Sequence, residues 1–296
     1  MSVKVNVLRI SFRSLIDQHA ETSPDRPFVK YPESGISHTW SEFQARVQSI
    51  ARYLKNMDFP PNVPVAGLLG NGQAALELFL GGMYGGFQVL LANPLAGADI
   101  LAYVLEHSES TNLFVDQQHH ELAQKALSQL SDKPQLIPVH PENGPDWKSI
   151  VCDEKLSTPK PCPQDAALLI YTSGTTGNPK GVILSHRNLI FECSVVLPLL
   201  GMTKDDRSLS FLPWAHVFGQ VSEVHGLISA GASAGLVDDV NTLIEELGIV
   251  KPSMFFAVPR VYNRIYERLR GQMKEKPGFI RALFYGGLKQ AKRERE

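Results

Sequence analysis

The sequence has little of several features that would place it in a specialised class. It contains three cysteines, Cys152, Cys162 and Cys193, too few and too scattered for a disulfide framework or a zinc site. No apolar run reaches the roughly 18 residues expected of a membrane span, and residues 1–17 lack the uninterrupted apolar stretch of a signal peptide. We therefore expect free thiols, no metal site built by the protein, and a cytoplasmic location.

The charge balance excludes a second class. The chain has 29 Lys and Arg residues against 30 Asp and Glu residues, a formal net charge of −1, whereas proteins that bind nucleic acid usually show a basic patch or stripe. We therefore expect no nucleic-acid partner. With 43% hydrophobic and 20% charged residues, the 296 residues suffice for one large or two smaller folded domains.

Strand and helix patterns alternate along the chain. Thr39 and Glu42 form a capping box at the start of a helix predicted over residues 40–55. Further strands are predicted at residues 63–69, 88–91 and 112–115, and further helices at 73–84, 98–107 and 119–130. Strands that alternate with helices across Gly and Pro turns predict an α/β fold, with mostly parallel sheets covered by helices on both faces.

Composition indicates where the chain divides. Residues 141–163 are rich in Pro, Asp, Glu and Lys without periodicity, so we predict a linker there, between a first α/β subdomain at 1–140 and a second at 164–270. In the second, helices are predicted from His186, at 220–230, at 242–247 and from Arg260, and strands at 208–212, 232–237 and 253–258. Residues 271–296 are predicted to form a helical tail.

A polar loop between two apolar runs is the most informative segment. Residues 166–171 and 182–184 are apolar enough for buried strands. The loop between them offers four hydroxyls, two glycines that can adopt positive φ, and one lysine. These residues are Thr172, Ser173, Gly174, Thr175, Thr176, Gly177 and Lys180. Backbone N–H groups, hydroxyls and an ammonium together suit the phosphates of a nucleotide.

The position of Lys180 excludes the common P-loop. In that motif the lysine directly follows the second glycine and opens a helix, whereas here Asn178 and Pro179 intervene and an apolar run follows. We therefore predict a strand–loop–strand hairpin. A surface turn rich in Gly and Thr that binds no ligand is the alternative for so short a segment.

The run at residues 171–182, Tyr-Thr-Ser-Gly-Thr-Thr-Gly-Asn-Pro-Lys-Gly-Val, resembles the phosphate-binding loop of the adenylate-forming, or AMP-binding, enzymes at every fixed position. This superfamily includes acyl-CoA synthetases, luciferases and the adenylation domains of peptide synthetases. Weaker similarities lie at residues 12–15, 24–27, 39–43, 81–86 and 93–94. The resemblance implies part of the N-terminal domain of this fold, in layers of αβαβα type, without the C-terminal domain.

A second segment resembles the same family. Residues 212–219 read Leu-Pro-Trp-Ala-His-Val-Phe-Gly and are similar to the family's Pro-x-x-His-x-x-Gly segment, which borders the acyl pocket. The acyl and adenylate pocket residues that the resemblance implies are Trp214, His216, Phe218 and Gly219. A histidine between apolar residues is otherwise usually a core residue, and we keep that interpretation for His186 and His225.

The substrate class follows from a third similarity. Residues 258–266, Val-Pro-Arg-Val-Tyr-Asn-Arg-Ile-Tyr, resemble the long-chain branch of the family, although they would also form a packed helix face. The resemblance implies an ATP-dependent, AMP-forming long-chain fatty acid:CoA ligase, with ATP, Mg²⁺ and CoA. In such enzymes a fatty carboxylate attacks the α-phosphate of ATP, pyrophosphate leaves, and the CoA thiol then displaces AMP.

The chain also departs from the family. Downstream of Arg260 there is no aromatic-Gly-x-Thr-Glu segment for adenine and magnesium, no Thr-Gly-Asp for ribose, and no C-terminal domain with a catalytic lysine. We therefore assign no catalytic residue and expect the N-terminal part of such a ligase, incomplete and inactive alone. The alternatives are a non-catalytic nucleotide- or acyl-binding protein, or half of a two-chain enzyme with a separately encoded C-terminal half.

The tail at residues 274–296 resembles the helical insertion of long-chain members. Its apolar residues at helical spacing are Phe279, Ile280, Leu283, Phe284 and Leu288, and basic residues flank them. An exposed apolar face of this kind favours self-association or peripheral contact with the inner face of an anionic membrane. A helix that folds back on its own domain is the alternative.

Overall fold

The computed structural model describes residues 10–60, 62–139, 156, 158–172, 177–237 and 241–293. The chain divides into two compact units, Met1–Phe256 and Ala257–Glu296. The α-helices of the first unit are α1 (Phe12–Thr22), α2 (Trp40–Asn56), α3 (Gln73–Gly85), α4 (Ala98–His107), α5 (His120–Leu127), α6 (His186–Leu200), α7 (Gly226–Ala230) and α8 (Leu243–Val250). A π-helix at Phe218–His225 leads directly into α7.

The strands of the first unit form two sheets. They are β1 (Pro27–Tyr31), β2 (Ile36–Thr39), β3 (Val65–Leu68), β4 (Val89–Leu91), β5 (Asn112–Asp116), β6 (Gln135–Val139), β7 (Ala166–Thr172), β8 (Lys180–Ser185), β9 (Arg207–Ser210) and β10 (Ser233–Leu236). The larger sheet has the order β6-β5-β3-β4-β7-β8 and the smaller one β2-β1-β10-β9.

The larger sheet is parallel except for β8, which runs antiparallel to β7. All four residues of β3 are buried, as expected for a central strand that is covered on both faces. Glycine in α3 allows the covering helices to pack closely. A Cβ at Gly81 would lie 2.6 Å from Ile50 of α2, so a larger residue there would push the two helices apart.

The smaller sheet joins distant parts of the chain. Strand β1 pairs in parallel with β10, with Val29 opposite Ala234. Beside it in the core, the ring of Phe28 stacks on Trp40 with centroids 4.0 Å apart. Each sheet thus takes strands from both of the segments predicted at 1–140 and 164–270. Strands β7 and β8 complete the larger sheet, and β1 and β2 complete the smaller one.

The predicted α/β class, with mostly parallel sheets and helices, is confirmed. The capping box at the start of α2 is present as well: Thr39 N–H donates to Glu42 Oε2 at 2.8 Å, and Glu42 N–H donates to Thr39 Oγ1 at 3.4 Å. Helix α4 has its predicted bounds, and α6 begins at His186 as predicted, with Ser185 as its N-cap.

Other predicted elements differ from the structure. The strand predicted at 253–258 is wrong: the N–H groups of Ser253 and Met254 bond to Arg207 O, but no ladder continues, and the Phe255 ring stacks on Phe211 at 5.2 Å. The helix predicted at 220–230 begins instead as the π-helix, and the one predicted at 119–130 is shortened to α5. Of the predicted linker at 141–163, the structure describes residues 156 and 158–163.

The second unit consists of α9 (Pro259–Lys274) and α10 (Gly278–Arg293), so the predicted tail is helical. Two apolar side chains of α10 are strongly exposed, Phe279 at 68% and Leu283 at 73%. In the part of the chain that the structure describes, no helix combines the length and the apolar character needed to cross a bilayer.

Candidate functional site

Strands β7 and β8 form the predicted hairpin. The last pair before its loop is Thr172 opposite Lys180, and both residues are exposed. Gly177 has a φ of +132°, a conformation that residues with a Cβ rarely adopt, so the loop requires glycine at this position. The other predicted phosphate-binding residues, Ser173, Gly174, Thr175 and Thr176, lie outside the described residues.

Tyr171 fixes the end of β7 against α4. Its phenol oxygen lies 2.7 Å from His107 Nδ1, and burial raises the pKa of Tyr171 to about 12, so the phenol stays neutral at physiological pH. A Cβ at Gly181 would come within 3.2 Å of the Tyr171 ring, so a larger residue there would have to displace the ring slightly. Sequence reasoning missed His107, because this contact joins residues that are far apart in the chain.

A cavity of about 510 Å³ lies beside the loop. Thr172, Gly177 and His216 contribute polar groups to its lining, while Phe218 and residues of β4 and α4 contribute apolar side chains. The apolar residues from β4 and α4 are Leu90, Leu91, Ile100, Leu101 and Val104. The structure therefore brings residues of the predicted phosphate loop together with two residues of the predicted acyl pocket. Lys180 follows at the start of β8 and is not part of the lining.

The other two predicted pocket residues do not line this cavity. Trp214 is only 2% exposed and borders a second, smaller cavity. Gly219 is buried, and a Cβ there would lie 2.9 Å from Leu212 Cβ. Glycine at 219 therefore allows the π-helix to approach the preceding segment closely. The acyl-pocket roles of all four residues stay predictions.

The second cavity, of about 300 Å³, lies at the carboxyl ends of β3, β4 and β5. From β3 the chain continues to β4 on one side, and from β5 to β6 on the other. Ligands of open α/β sheets commonly bind where the connections diverge in this way. Sequence reasoning missed this cavity, because the divergence appears only when the strand order is known.

His119 lines the second cavity and is held by Asp116. Their Nδ1 and Oδ1 atoms are 2.7 Å apart, and Gly70 N–H donates to Asp116 Oδ2 at 2.7 Å. Burial alone would raise the pKa of Asp116, but the hydrogen bonds from His119 and Gly70 outweigh burial and lower it. The carboxylate therefore stays ionised at neutral pH and orients the imidazole.

His186 and His225 are fully buried in the core, as predicted for both. Phe12 N–H donates to His186 Nδ1 at 3.4 Å, and the Phe12 ring lies 4.5 Å from the His225 ring. Burial lowers the pKa of His186 to about 4 and that of His225 to about 3. Both rings are neutral at physiological pH, and neither lines the two cavities.

The sequence matches one protein family over most of its length. The model of the AMP-binding enzyme family matches residues 16–292. The chain is 40% identical over 117 residues to long-chain-fatty-acid–CoA ligase 1 of Homo sapiens, which covers 38% of this chain and 17% of that protein. It is 36% identical over 134 residues to the peroxisomal long chain acyl-CoA synthetase 7 of Arabidopsis thaliana, which covers 44% and 19%.

Solved structures share the fold. The N-terminal domain of FACL13 from Mycobacterium tuberculosis superposes with a TM-score of 0.76 at 21% identity, covering 91% of this chain and 66% of that one. A benzoate CoA ligase from Burkholderia xenovorans LB400 superposes with a TM-score of 0.74 at 23% identity, covering 86% and 51%. This chain thus spans less than two thirds of its relatives, and at these identities the structural likeness concerns the fold alone.

Proposed function

Because the chain belongs to the AMP-binding enzyme family, we propose that its 296 residues bind ATP and the acyl substrate of an AMP-forming long-chain fatty acid:CoA ligase. The observation that carries this proposal is the cavity of about 510 Å³, where the hairpin loop and the His216 segment meet. Its lining combines polar residues with a larger set of apolar ones, as a substrate with a carboxylate head and a hydrocarbon chain requires.

The loop at residues 172–180 would hold the β- and γ-phosphates of ATP. Carboxylate attack on a polyanion is disfavoured by charge repulsion, so the protein must supply oriented donors and a cation around the phosphates. Exposed Thr172, the positive φ of Gly177 and exposed Lys180 support this role. Mg²⁺ would arrive with ATP as part of the substrate and would neutralise part of the phosphate charge.

The apolar part of the cavity would hold the acyl chain. Side chains of β4, α4 and Phe218 surround this space, and removal of hydrocarbon from water contributes about 0.8 kcal/mol per buried CH₂ group. His216, which lines the same cavity as Thr172 and Gly177, would lie near the point where the acyl carboxylate meets the α-phosphate. The long-chain class is supported by the names of the two curated relatives.

The proposal assigns binding, and not the whole reaction, to these 296 residues. They contain no Thr-Gly-Asp segment and no aromatic-Gly-x-Thr-Glu segment, which the resemblance links to ribose and adenine. CoA is proposed as the second acceptor of the acyl group, with its binding residues in a part of the family's structures that these 296 residues do not span, on the same or a separate chain. We therefore expect the isolated residues to bind ATP and fatty acid without forming acyl-CoA.

Titration calorimetry with palmitate and with Mg-ATP tests the assignment of the cavity. The variant Ile100→Trp would fill the apolar part, and we expect it to weaken palmitate binding about tenfold or more while Mg-ATP binding stays unchanged. Ile249→Trp is the matched control, because Ile249 lies exposed on α8 and lines neither cavity. Equal palmitate affinity of the wild type and Ile100→Trp would contradict the proposal.

We further propose that α10 contacts an anionic membrane surface. Exposed Phe279 and Leu283 would insert between lipids, while basic residues beside them would meet the headgroups. These basic residues are Lys274, Lys276, Arg281, Lys289 and Arg293. Co-sedimentation with vesicles that contain phosphatidylserine should decrease for Phe279→Ser/Leu283→Ser and not for the control Phe191→Ser on α6. Identical sedimentation of the three proteins would exclude this contact.

A further inference from the structure

Residues 213–218, which we call the wall segment, separate the two cavities. Its first half borders the cavity of about 300 Å³ and its second half, with His216, borders the cavity of about 510 Å³. Ala215 lines both, and both also share Leu91, Ala92 and Asn93 at the end of β4. The position of the wall segment therefore decides where one cavity ends and the other begins.

Asn71, in the loop after β3, holds the wall segment from one side. Its Nδ2 donates to Leu212 O at 2.8 Å, and its Oδ1 accepts from Trp214 N–H at 3.4 Å. One amide side chain thus pairs with a carbonyl and an N–H of the same backbone stretch, as a neighbouring strand would. This fixes the start of the wall segment to the larger sheet.

Glu223, in the π-helix, holds the wall segment from the other side through a chain of hydrogen bonds. Trp214 Nε1–H donates to Ser210 Oγ at 3.3 Å, Ser210 Oγ–H donates to Glu223 Oε2 at 3.0 Å, and Ser208 Oγ–H donates to Glu223 Oε1. Ser208, Ser210 and Glu223 have no exposed surface. Each hydroxyl therefore depends on this carboxyl group, since no water can replace it.

A carboxyl group in this place is not explained by stability alone. Its hydrogen-bond partners among the described residues are two hydroxyls rather than a cation, so the cost of burying the carboxyl group opposes part of the stability that these hydrogen bonds contribute. The carboxyl group orients the Ser210 hydroxyl, and through that hydroxyl it orients the indole of Trp214.

We propose that Asn71 and Glu223 are positioning residues that fix the wall segment and thereby set the boundary of the cavity beside His216. The identity of the ligand that meets this boundary rests on the proposed function. The position of the wall segment does not, and it can be measured in the ligand-free protein.

Nuclear magnetic resonance of the Trp214 indole tests the proposal directly. In ¹⁵N-labelled protein, with the signal assigned by Trp214→Phe, Glu223→Leu and Asn71→Ala should shift the Nε1–H resonance. They should also speed its hydrogen exchange about tenfold, the effect of one lost hydrogen bond. Glu223→Gln should keep the wild-type signal, because its amide oxygen can still accept from Ser210. Glu77→Gln, another change at a fully buried carboxyl, should lower stability and leave the signal unmoved.

The outcomes separate this proposal from the proposed function. An unchanged indole signal in both Glu223→Leu and Asn71→Ala overturns the positioning role. If Glu223→Leu does not fold, Ser210→Ala removes only the intermediate oxygen and carries the same expectation. Titrations with palmitate and with octanoate complete the test. Glu223→Leu and Asn71→Ala should change the ratio of the affinities for these two fatty acids. A moved indole signal with an unchanged ratio supports the positioning role and contradicts the assignment of the cavity to the acyl chain.

Discussion

Two glutamates among the described residues have no exposed surface at all, Glu77 and Glu223, and the protein holds them in different ways. Glu77 of α3 accepts from Arg46 Nη2 at 2.8 Å and from Gln73 Nε2 at 2.9 Å. Glu223 accepts from serine hydroxyls, and burial raises its pKa to about 8. Glu77 thus forms an ion pair with an arginine, whereas Glu223 is an uncharged acid that is hydrogen-bonded to two serines at neutral pH.

The difference follows the position of each residue. Glu77 of α3 pairs with Arg46 of α2, so this ion pair joins two packed helices of the first unit. Glu223 lies one turn beyond the wall segment. There its carboxyl group orients the Ser210 hydroxyl, and its partners among the described residues are hydroxyls rather than a cation. We infer that the first carboxyl group matters mainly for stability and the second for the shape of the candidate site.

The largest effect is expected when Glu77 loses its cation. Arg46→Met removes the guanidinium and leaves the buried carboxylate with the neutral donor Gln73, and the loss of one partner from a buried ion pair typically costs about 3–5 kcal/mol of unfolding free energy. Urea unfolding of the wild type and the variant measures it. The double variant Arg46→Met/Glu77→Gln should recover part of the loss, because it no longer buries a charge. A loss below about 1 kcal/mol in the single variant would show that the pair is unimportant.

A smaller effect is expected when Glu223 becomes apolar. Glu223→Leu leaves the hydroxyls of Ser208 and Ser210 without their acceptor, at a cost of about 1–3 kcal/mol. Glu223→Gln should cost less, since the amide oxygen replaces one carboxyl oxygen. The same urea unfolding series gives both values. If Glu223→Leu were more damaging than Arg46→Met, the contrast between the two sites would be reversed.

The buried carboxyl group of Glu223 and the buried imidazole of His186 should make the unfolding free energy depend on pH in opposite directions. The pKa of Glu223 is about 8 in the folded state against an ordinary 4.5, so its contribution to stability is present below pH 4.5 and is lost as pH rises through 8. Burial gives His186 a pKa of about 4 against an ordinary 6.5, so its contribution is present above pH 6.5 and falls toward pH 4.

Glu223→Gln isolates the contribution of Glu223 to the pH dependence of the unfolding free energy. Relative to the wild type, its unfolding free energy should rise between pH 4.5 and 8 by about 1 kcal/mol or more, because only the wild type ionises a buried group. His186→Phe should likewise remove the fall in stability that His186 causes between pH 6.5 and 4, and leave the pH dependence above pH 6.5 unchanged. Parallel curves for the wild type and Glu223→Gln would mean that the carboxyl group is solvated.

Local patterns predicted much of the fold, and non-local contacts account for what they missed. The capping box of α2, the bounds of α4 and the hairpin around Lys180 depend on neighbouring residues and could be predicted. The pairing of β1 with β10 joins residues about two hundred positions apart, so no window of sequence shows it. The strand predicted at 253–258 failed because packing of Phe255 on Phe211 outweighs its propensity.

The candidate site likewise contains residues that local sequence motifs predicted and residues that only tertiary contacts reveal. Thr172, Gly177, His216 and Phe218 were predicted from two segments, and the structure brings them to one cavity. Asn71 and Glu223 carry no motif of their own. They act through the partners that tertiary structure gives them, so single-sequence reasoning had no means of finding them.

The smallest effect on stability is expected at the loop. Lys180 is exposed at the start of β8, and replacement of such a residue usually changes unfolding free energy by less than about 0.5 kcal/mol. Thermal melting of Lys180→Ala and of the control Lys133→Ala, an exposed lysine before β6, should give the same midpoint as the wild type. A clear destabilisation in Lys180→Ala alone would indicate a structural role.

The most direct test of the proposed function is titration calorimetry of these same three proteins with Mg-ATP and with Mg-pyrophosphate. A hydrogen bond between charged groups contributes about 1.5–3 kcal/mol, so we expect Lys180→Ala to bind both ligands at least about tenfold more weakly than the wild type, and Lys133→Ala to bind them equally well. Equal affinity of all three proteins would contradict the assignment of the loop to nucleotide phosphates.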